Sequence, residues 1–447
     1  MAANPDTAPT GTRLLALALL GRVERGGAFA DRLLSSPRVM ALDRRDRAFV
    51  RELVLGVLRW RLRLDHTIDM YYTKETDSLD ADVRAILRLG LFQLMFMDAV
   101  PDWAAVSESV ALARQVTGRG PAGLVNAILR RFLREGEPAV RSDDIVDRLA
   151  VGYAHPHWMV RRWIDAFGIE TAEAILDAGN RKHPVTMHAN TLKSTPEDLI
   201  GRLADEGFEA AGIDGVPGFL ALTQADGLFE SRSFKEGLFT VQDPSTERAV
   251  EFLDPRPGER LLDLCAAPGG KTVLMAQRTG DRADITAVDI NPARLGLVKE
   301  TAGRLGLASV RCVEGDAATF RPGDGRLYDR VLCDVPCTGT AVFSKRPDMK
   351  WRRDESDIAR MTLVQREILA SAYALVKPGG VIVYSTCTLE HEENEDTVAW
   401  FSEHYPVVVE SAPGDDCIET AAGCLLLPQR MNGTGAFVAK LRKKREE

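Results

Sequence analysis

The sequence predicts a multidomain protein in which an all-α bundle precedes a small α/β subdomain and a larger, Rossmann-like α/β domain. The chain has 447 residues, more than one hydrophobic core usually holds. Up to about residue 134 apolar residues recur at helical spacing, whereas from residue 260 short apolar strands alternate with helices. We therefore assign residues 1–140 to the bundle, 141–240 to the subdomain and 241–447 to the last domain.

The N-terminal bundle is predicted from four helical patterns and from the near absence of strand patterns. These patterns cover Arg47–Leu64, Val83–Met97, Ala104–Gln115 and Leu124–Leu133. Residues 1–150 carry 22 basic residues, of which 21 are Arg, against 20 acidic ones, whereas the whole chain has a net charge of −8. Because Arg binds phosphates and stacks on bases, we expect an RNA surface here; an interaction or oligomerisation module is the alternative.

The subdomain and the last domain follow from shorter patterns. A helix over His155–Phe167, an extended segment at Pro184–Asn190 and alternating segments at Phe219–Leu222 and Phe239–Val241 predict the subdomain. The last domain alternates between Arg260–Leu264, Gly270–Gln277, Asp284–Val288, Pro292–Leu305, Val310–Val313, Tyr328–Leu332, Ile358–Leu375 and Val381–Tyr384. This alternation is typical of a doubly wound parallel sheet, and Ala436–Leu441 would add a final antiparallel strand.

Composition, apolar runs and cysteine count indicate the cellular compartment of the protein. The chain is 45% hydrophobic and 27% charged, as in ordinary globular proteins. No apolar run is long enough to span a bilayer, and Leu14–Leu20 is too short and too soon followed by charges to be a secretory signal. Seven cysteines in a chain of this length predict reduced thiols rather than a disulfide framework. We expect a cytoplasmic monomer without a membrane contact.

A loop of small residues after the first strand of the sheet predicts the cofactor. Its residues are Cys265, Ala266, Ala267, Pro268, Gly269, Gly270 and Lys271. Small residues let a ligand approach the backbone at a helix N-terminus. A phosphate-binding Walker A loop needs Gly where Cys265 stands, and the dinucleotide pattern Gly-x-Gly-x-x-Gly is absent. The remaining candidate is S-adenosylmethionine.

Carboxylates that end successive strands support this cofactor. Asp289 closes the second strand, where it would hold the ribose hydroxyls, and Asp316 follows the third strand, within reach of the adenine amino group. Asp334 follows the fourth strand. One such carboxylate is more often a turn residue, but together with Asp263 they form a series of four at one sheet edge.

Two cysteine motifs lie beyond the next strand ends. Cys337 stands in Asp-Val-Pro-Cys-Thr-Gly-Thr, and Cys387 stands in Ser-Thr-Cys-Thr. Each alone would be read as a buried structural cysteine, but both motifs open toward the cofactor edge. The spacing of Cys333 and Cys337 is unusual for zinc and no second pair or neighbouring His follows, so we expect no metal.

Together these motifs resemble those of the Sun family of RNA 5-methylcytosine methyltransferases. The resembling segments are Asp263–Thr272, Asp334–Gly339, Arg346–Trp351, Ser385–Thr388 and Glu392–Glu395. The N-terminal third is similar to the NusB-like RNA-binding domain of the bacterial small-subunit rRNA methyltransferase B branch, at Val125–Arg130, and His155–Trp158 and Val241–Asp243 fit the same branch. One departure is Met187–Asn190, where the branch shows Arg-Val-Asn.

The resemblance implies a class I methyltransferase domain that methylates C5 of a cytosine in RNA, in this branch 16S rRNA. It implies that Cys387 is the nucleophile that adds to C6 and that Cys337 acts in release. We expect Asp334 to accept a hydrogen bond from the cytosine N4 amino group and Lys271 to lower the thiol pKa.

A charged segment after the first cysteine motif is a further candidate for RNA contacts. We expect Arg346, Lys350, Arg352 and Arg353, with Trp351, to face the RNA backbone; a solvated helix start is the alternative.

Four other functions compete with this prediction. A DNA cytosine-C5 methyltransferase would use Cys337 as its nucleophile and would not need Cys387. A non-catalytic RNA-binding assembly factor would not need both cysteines or Asp289, and all three are present. An N6-adenine or small-molecule methyltransferase has no use for paired thiols. A cytosine methyltransferase of another RNA remains open.

Overall fold

A computed structural model of the protein describes residues 11–73, 78–410, 417–431 and 433–445. It divides the chain into two compact units. Unit 1 contains Met1–Arg181 and a later segment, Arg346–Arg352, and unit 2 contains Lys182–Lys345 and Arg353–Glu447. Both units are therefore discontinuous in sequence. The domain limits set at residues 140 and 240 stay predictions.

Unit 1 is helical throughout its described part. Its helices are α1 (Gly11–Glu24), α2 (Ala30–Leu34), α3 (Pro37–Met40), α4 (Arg44–Tyr71), α5 (Ala81–Phe96), α6 (Asp102–Val116), α7 (Arg119–Glu135), α8 (Ile145–Gly152), α9 (His157–Phe167) and α10 (Ile169–Asn180). The later segment contributes one 3₁₀ turn, Pro347–Trp351. Apolar side chains of α1 to α7 share one core, which includes Leu53, Ile86 and Leu129.

The longest helix extends beyond its predicted limits at both ends. The carboxylate of Asp43 caps α4 by accepting from the N–H of Asp46 at 2.8 Å, so the helix begins before Arg47. At its other end Ile68 and Tyr71 stay on the buried face, so burial carries the helix past Leu64.

The first part of unit 2 is a four-stranded antiparallel sheet. Its elements are β1 (Val185–Ala189), α11 (Pro196–Asp205), β2 (Ala210–Gly212), β3 (Phe219–Leu222), α12 (Arg232–Lys235) and β4 (Phe239–Val241). The strand order is β2-β3-β1-β4. In the Met187–Asn190 segment, the first three residues lie in β1 and Asn190 follows it, and all four are buried. Burial, and then the charge of Arg278, lowers the pKa of His188 to about 4, so this side chain is neutral near pH 7.

The remainder of unit 2 is a nine-stranded mixed sheet flanked by helices. Its elements are α13 (Ser245–Leu253), β5 (Arg260–Leu264), α14 (Gly270–Arg278), β6 (Asp284–Asp289), α15 (Pro292–Leu305), β7 (Val310–Glu314), β8 (Tyr328–Asp334), α16 (Ser356–Leu375), β9 (Val376–Thr386), α17 (Glu395–His404), β10 (Val407–Glu410), β11 (Ile418–Thr420), β12 (Gly423–Leu426) and β13 (Ala436–Lys443). Strands β5 to β9 are parallel in the order β7-β6-β5-β8-β9, and β13 adds antiparallel to β9 as predicted.

The strand order of the larger sheet indicates where the candidate site lies. The strand order reverses between β5 and β8, and ligands of such sheets bind beyond the carboxyl ends of the strands at that crevice. The predicted fold class is confirmed: a helical part, a small α/β part and an α/β sheet domain. Within the described ranges every helix is too short or too polar to cross a bilayer.

One cysteine pair departs from the expectation of reduced thiols. Cys417 and Cys424 form a disulfide at the β11–β12 hairpin. Their Cα atoms lie 5.7 Å apart, because the hairpin brings the residue before β11 close to β12. The expectation was wrong for this pair because a separation of 7 positions in sequence does not reveal a hairpin.

Candidate active site

The cofactor loop occupies the turn from β5 into α14. Cys265 and Gly269 adopt positive φ angles of 65° and 106°. A Cβ at Gly269 would lie 3.2 Å from the Cα of Val298, so this position requires glycine for conformation and for space. The guanidinium of Arg294 donates to the carbonyl oxygen of Ala267 at 2.5 Å and fixes the loop on α15. The loop therefore presents a tightly held backbone at the start of a helix.

Asp289 joins this loop to the next strand. Its carboxylate accepts from the N–H of Ala267 at 3.1 Å and from the N–H of Asn291 at 2.9 Å. Only 5% of Asp289 is exposed, although each oxygen keeps a further acceptor position. The next residue, Ile290, is apolar and 67% exposed.

Asp316 lies in the exposed loop that follows β7 at the same edge of the sheet. Its carboxylate accepts from the N–H of Ala318 at 3.0 Å. Strand β7 pairs in register with β6, with Glu314 opposite Asp289. The tight loop, the buried carboxylate and this second carboxylate fit a ligand with ribose hydroxyls and a base amino group, as S-adenosylmethionine has.

Asp263, in β5, and Cys265, in the loop, are buried groups whose pKa values are raised. Burial, followed by the charges of Asp334 and Asp289, raises the pKa of Asp263 to about 7, against a hydrogen bond from Thr272. Burial also raises the pKa of the Cys265 thiol. This raised pKa disfavours the thiolate form of Cys265.

The two predicted catalytic thiols are adjacent. The Sγ atoms of Cys337 and Cys387 lie 3.2 Å apart, and the backbone N–H of Cys387 donates to the Sγ of Cys337 at 3.4 Å. The hydrogen bond from the Cys337 thiol lowers the pKa of Cys387, although burial opposes the charged form. The same hydrogen bond, followed by burial, raises the pKa of Cys337. Cys387 is therefore the better thiolate and Cys337 the better proton donor.

Lys271 and Asp334 form an ion pair beside the thiols. The Nζ of Lys271 lies 2.7 Å from Oδ1 of Asp334. Burial opposes the charge of Lys271, but the charge and hydrogen bond of Asp334 more than compensate and raise the pKa of the lysine. After the effects of Cys337 and burial, Asp334 raises the pKa of Cys387 and Lys271 lowers it. The structure thus brings all four predicted catalytic residues together.

Sequence reasoning missed a carboxylate that links the two cysteine motifs. Glu393 is fully buried and accepts from the backbone N–H of Thr338 at 3.0 Å and from Nε2 of Gln365 at 2.8 Å. The hydroxyls of Thr338 and Thr388, one from each cysteine motif, donate to its other oxygen. The Glu-Glu-Asn-Glu segment contributed to the family resemblance, but its position in sequence gave no sign of this contact.

Arg353 binds the backbone of the first cysteine motif. Its guanidinium donates to the carbonyl oxygen of Thr338 at 3.0 Å and to that of Cys337 at 3.3 Å. Asn394 holds the second motif, because its Nδ2 donates to the carbonyl oxygen of Thr388 at 3.0 Å. Each cysteine motif is therefore held by a side chain that donates to its backbone, in addition to the contacts that both motifs make with Glu393.

Within the charged segment after the first cysteine motif, the structure corrects the predicted RNA contact of Lys350. Lys350 is fully buried, so it neither faces RNA nor begins a solvated helix. Arg346 pairs with Asp31 at 2.9 Å, and Arg352 donates to the carbonyl oxygen of Gly27 at 2.9 Å. The prediction was wrong for Lys350 because its charged group is enclosed by protein acceptors, whereas for Arg346, Arg352 and Arg353 it stays a prediction. Among the described residues, no cluster of three His, Cys, Asp or Glu side chains is arranged to hold a metal.

This sheet edge, with its tight loop, strand-end carboxylates and paired thiols, defines the catalytic domain of an S-adenosylmethionine-dependent methyltransferase. Three family models match the chain: 16S rRNA methyltransferase RsmB/F at residues 250–442, the NusB family at residues 10–134, and the ferredoxin-like domain of RsmF/B-like methyltransferases at residues 155–227. The chain belongs to the RsmB/F family of 16S rRNA methyltransferases.

Full-length relatives agree with this assignment. A probable ribosomal RNA small subunit methyltransferase B of Bacillus subtilis is 34% identical over 89% of this chain and 89% of its own length. The ribosomal RNA small subunit methyltransferase B of Salmonella paratyphi C is 33% identical over 94% of this chain and 96% of its own. A crystal structure of a methyltransferase homologue from Pyrococcus horikoshii is 29% identical with a TM-score of 0.60, over 68% of this chain and 100% of that one.

These matches confirm the predicted family, its cofactor S-adenosylmethionine and its activity as an RNA cytosine-C5 methyltransferase. The competing DNA, N6-adenine and non-catalytic interpretations are set aside. The matches concern whole domains, so the roles of individual site residues are a separate question.

Proposed function

We propose that this enzyme methylates C5 of a cytosine in 16S rRNA through a covalent bond between Cys387 and C6, and that it acts in the cytoplasm as a monomer. The observation that carries the proposal is the 3.2 Å thiol pair, in which Cys337 lowers the pKa of Cys387. C5 of cytosine is a weak nucleophile, and addition of a thiolate at C6 makes it a strong one. When bound, S-adenosylmethionine supplies an electrophilic methyl group.

Release of the product requires the second thiol. After methylation the C5 proton must leave and the bond between Cys387 and C6 must break. We assign this step to Cys337, because its Sγ lies beside that of Cys387. Cys337 first releases its own proton to solvent, and its thiolate then takes the C5 proton. The C–H electron pair forms the C5–C6 double bond, and Cys387 leaves C6 as a thiolate. Loss of Cys337 should therefore leave the enzyme attached to its RNA.

Asp334 and Lys271 orient and activate the reacting groups. The Asp334 carboxylate can accept from the N4 amino group of cytosine and retain a proton at N3. Lys271 forms an ion pair with that carboxylate at 2.7 Å and favours the Cys387 thiolate. The target base has to leave any helical stack to reach these groups.

The cofactor is assigned to the loop and to two carboxylates. The backbone from Cys265 to Lys271, with Ala266, Ala267, Pro268, Gly269 and Gly270, would surround the methionine part of S-adenosylmethionine. Asp289 would bind the ribose hydroxyls and Asp316 the adenine amino group. RNA is expected to bind to the NusB-like part of unit 1 as well as to the catalytic domain.

The test is transfer of labelled methyl from S-adenosylmethionine to unmodified 16S rRNA, with duplex DNA as the competing substrate. Wild type should place 5-methylcytosine in the rRNA only, and Cys387→Ala should abolish the label. Cys337→Ala should yield a stable protein–RNA complex on denaturing gels. A Cys387→Ala enzyme that methylates at the wild-type rate would refute the assignment of the nucleophile.

A further inference from the structure

Residues Arg346–Arg352 join two elements of the catalytic sheet domain, yet they fold as part of unit 1. They lie between β8, which ends at Asp334, and α16, which begins at Ser356. The chain thus leaves unit 2 after the Cys337 motif, makes a 3₁₀ turn within unit 1, and returns to unit 2 at Arg353.

The turn is anchored by a lysine with no exposed surface. The Nζ of Lys350 donates to Oδ1 of Asn180 at 2.7 Å and to the carbonyl oxygens of Ala154 at 3.3 Å and Arg59 at 3.4 Å. These three acceptors match the three donors of an ammonium group. Burial, and then the charge of Arg59, lowers the pKa of Lys350. The hydrogen bonds to the three acceptors oppose this effect, because they stabilise the charged form of the amine.

Neighbouring residues of the turn add contacts within unit 1. The indole Nε1 of Trp351 donates to the carbonyl oxygen of Leu58 at 2.6 Å. The carboxylate of Asp348 accepts from the N–H of Ala30 at 3.3 Å. These contacts reach three separate parts of the helical unit, so the position of the turn is strongly determined.

Arg353, which follows the Arg346–Arg352 segment, contacts the active site. Arg353 donates to the backbone carbonyl oxygens of Cys337 and Thr338. We propose that Lys350 is a positioning residue for the two-thiol site: its anchor in unit 1 fixes the chain at Arg353, and Arg353 fixes the Cys337 motif. This inference rests on the proposed roles of Cys337 and Cys387.

The test compares Lys350→Met with Lys377→Met as a matched control. Methionine keeps about the length of the lysine side chain and removes its N–H donors. Lys377 forms an exposed ion pair with Asp329. We measure the pH dependence of Cys387 alkylation by iodoacetamide, read by mass spectrometry of its peptide, together with kcat and the affinity for S-adenosylmethionine. In Lys350→Met the alkylation midpoint should move to higher pH, because the hydrogen bond from Cys337 is weakened. The kcat should fall about tenfold while cofactor affinity stays within about twofold.

A second variant keeps the test decisive if Lys350→Met does not fold. Arg353→Ala breaks the contact with the Cys337 motif and leaves the anchor in place, so it should produce the same alkaline shift. A wild-type alkylation profile and kcat in folded Lys350→Met, or in Arg353→Ala when the first variant is unfolded, overturns the proposal. The alkylation profile needs no RNA, so its outcome is separate from the methyl-transfer test of Cys387.

Discussion

At the scale of single residues, the active site balances opposite charges around one thiolate. Cys387 receives a hydrogen bond from Cys337, and it also experiences the positive charge of Lys271 and the negative charge of Asp334. Lys271 and Asp334 form an ion pair, so removing one leaves the charge of the other. A remaining Asp334 should raise the pKa of Cys387, and a remaining Lys271 should lower it.

Lys271→Met should move the acidic limb of the kcat/KM profile to higher pH. The lysine charge favours the thiolate, so its loss raises the pKa of Cys387 and leaves less thiolate at neutral pH. At a fixed pH below the midpoint, the rate should fall about tenfold if the pKa of Cys387 rises by about one. Asp334→Asn should have the opposite effect: the acidic limb of its kcat/KM profile should move to lower pH, although its maximal rate falls. An unmoved limb in Lys271→Met would show that the lysine does not act on the thiol.

Asp263 gives a pH-dependent effect on stability. Its pKa is raised to about 7 in the folded protein, from an ordinary value of 3.8. The folded state therefore binds this proton more tightly than the unfolded state, and the resulting stability is lost as pH rises through about 7. Asp263→Asn stays neutral, so its Tm relative to wild type should be higher at about pH 8 than at about pH 5. Exposed Asp98→Asn is the control, and equal Tm differences at both pH values would contradict the argument.

Residues at strand ends could be predicted, whereas buried polar contacts could not. Asp289, Cys337 and Cys387 follow apolar strands, and the parallel sheet brings such positions to one edge whatever the loops contain. Glu393 acts through contacts with segments far from it in sequence, which no local pattern encodes. Lys350 was expected to contact RNA because it stands in a charged segment after the first cysteine motif, and its three carbonyl and amide acceptors are brought together only in the folded chain.

At the scale of elements, helices α4 and α5 pack closely at a glycine. A Cβ added at Gly56 would lie 1.9 Å from a ring atom of Phe92. By contrast, a Cβ at Gly123 on α7 would meet no atom within 4 Å. The two glycines are both helical, so they separate the effect of packing from that of helix propensity.

Gly56→Ala should lower the free energy of unfolding by about 1–3 kcal/mol through overpacking. Gly123→Ala should raise it by about 0.5–1 kcal/mol, because alanine favours the helix and the position is open. Urea denaturation followed by circular dichroism measures both. Equal changes in the two variants would mean that α4 and α5 do not pack as described.

Long periodic elements were predictable and short edge strands were not. The pattern at Ile358–Leu375 predicted α16 to within two residues of its start at Ser356, because many turns of one helix repeat the same signal. Strands β10, β11 and β12 were missed, since each has only three or four residues and gains its place from pairing with neighbours.

At the scale of the whole molecule, many arginines of unit 1 are occupied by internal ion pairs. Arg88 lies 2.7 Å from both Glu24 and Asp65, and Arg63 pairs with Glu137 at 2.5 Å. Exposed arginines such as Arg45 and Arg51 are therefore the better candidates for RNA phosphates.

Replacing Arg45 and Arg51 together with Gln should weaken binding to a 16S rRNA fragment and flatten its salt dependence. Each lost phosphate contact should reduce the slope of log K against log salt by about 0.7–0.9. Filter binding at several salt concentrations measures the slope. Arg63→Gln, at a residue paired with Glu137, should keep the wild-type slope. An unchanged slope in the double variant would place the RNA surface elsewhere.

The three-part architecture could be predicted because each part has its own hydrophobic period, but the discontinuity of unit 1 could not. Nothing in the local pattern of Pro347–Trp351 distinguishes a turn within the helical unit from an ordinary loop of the sheet domain. Its partners Asn180, Ala154 and Leu58 lie far away in sequence.

This discontinuity has a consequence for biosynthesis. Domains usually fold in order as the N-terminal part of the chain leaves the ribosome. Here the first unit is complete only when Arg346–Arg352 has emerged, after much of the second unit. Until then the acceptors around Asn180 lack their lysine, so a nascent chain that stops before Lys350 carries an unfinished N-terminal domain. The last contacts of the NusB-like unit are therefore made late in translation, by a segment that adjoins the catalytic cysteine motif.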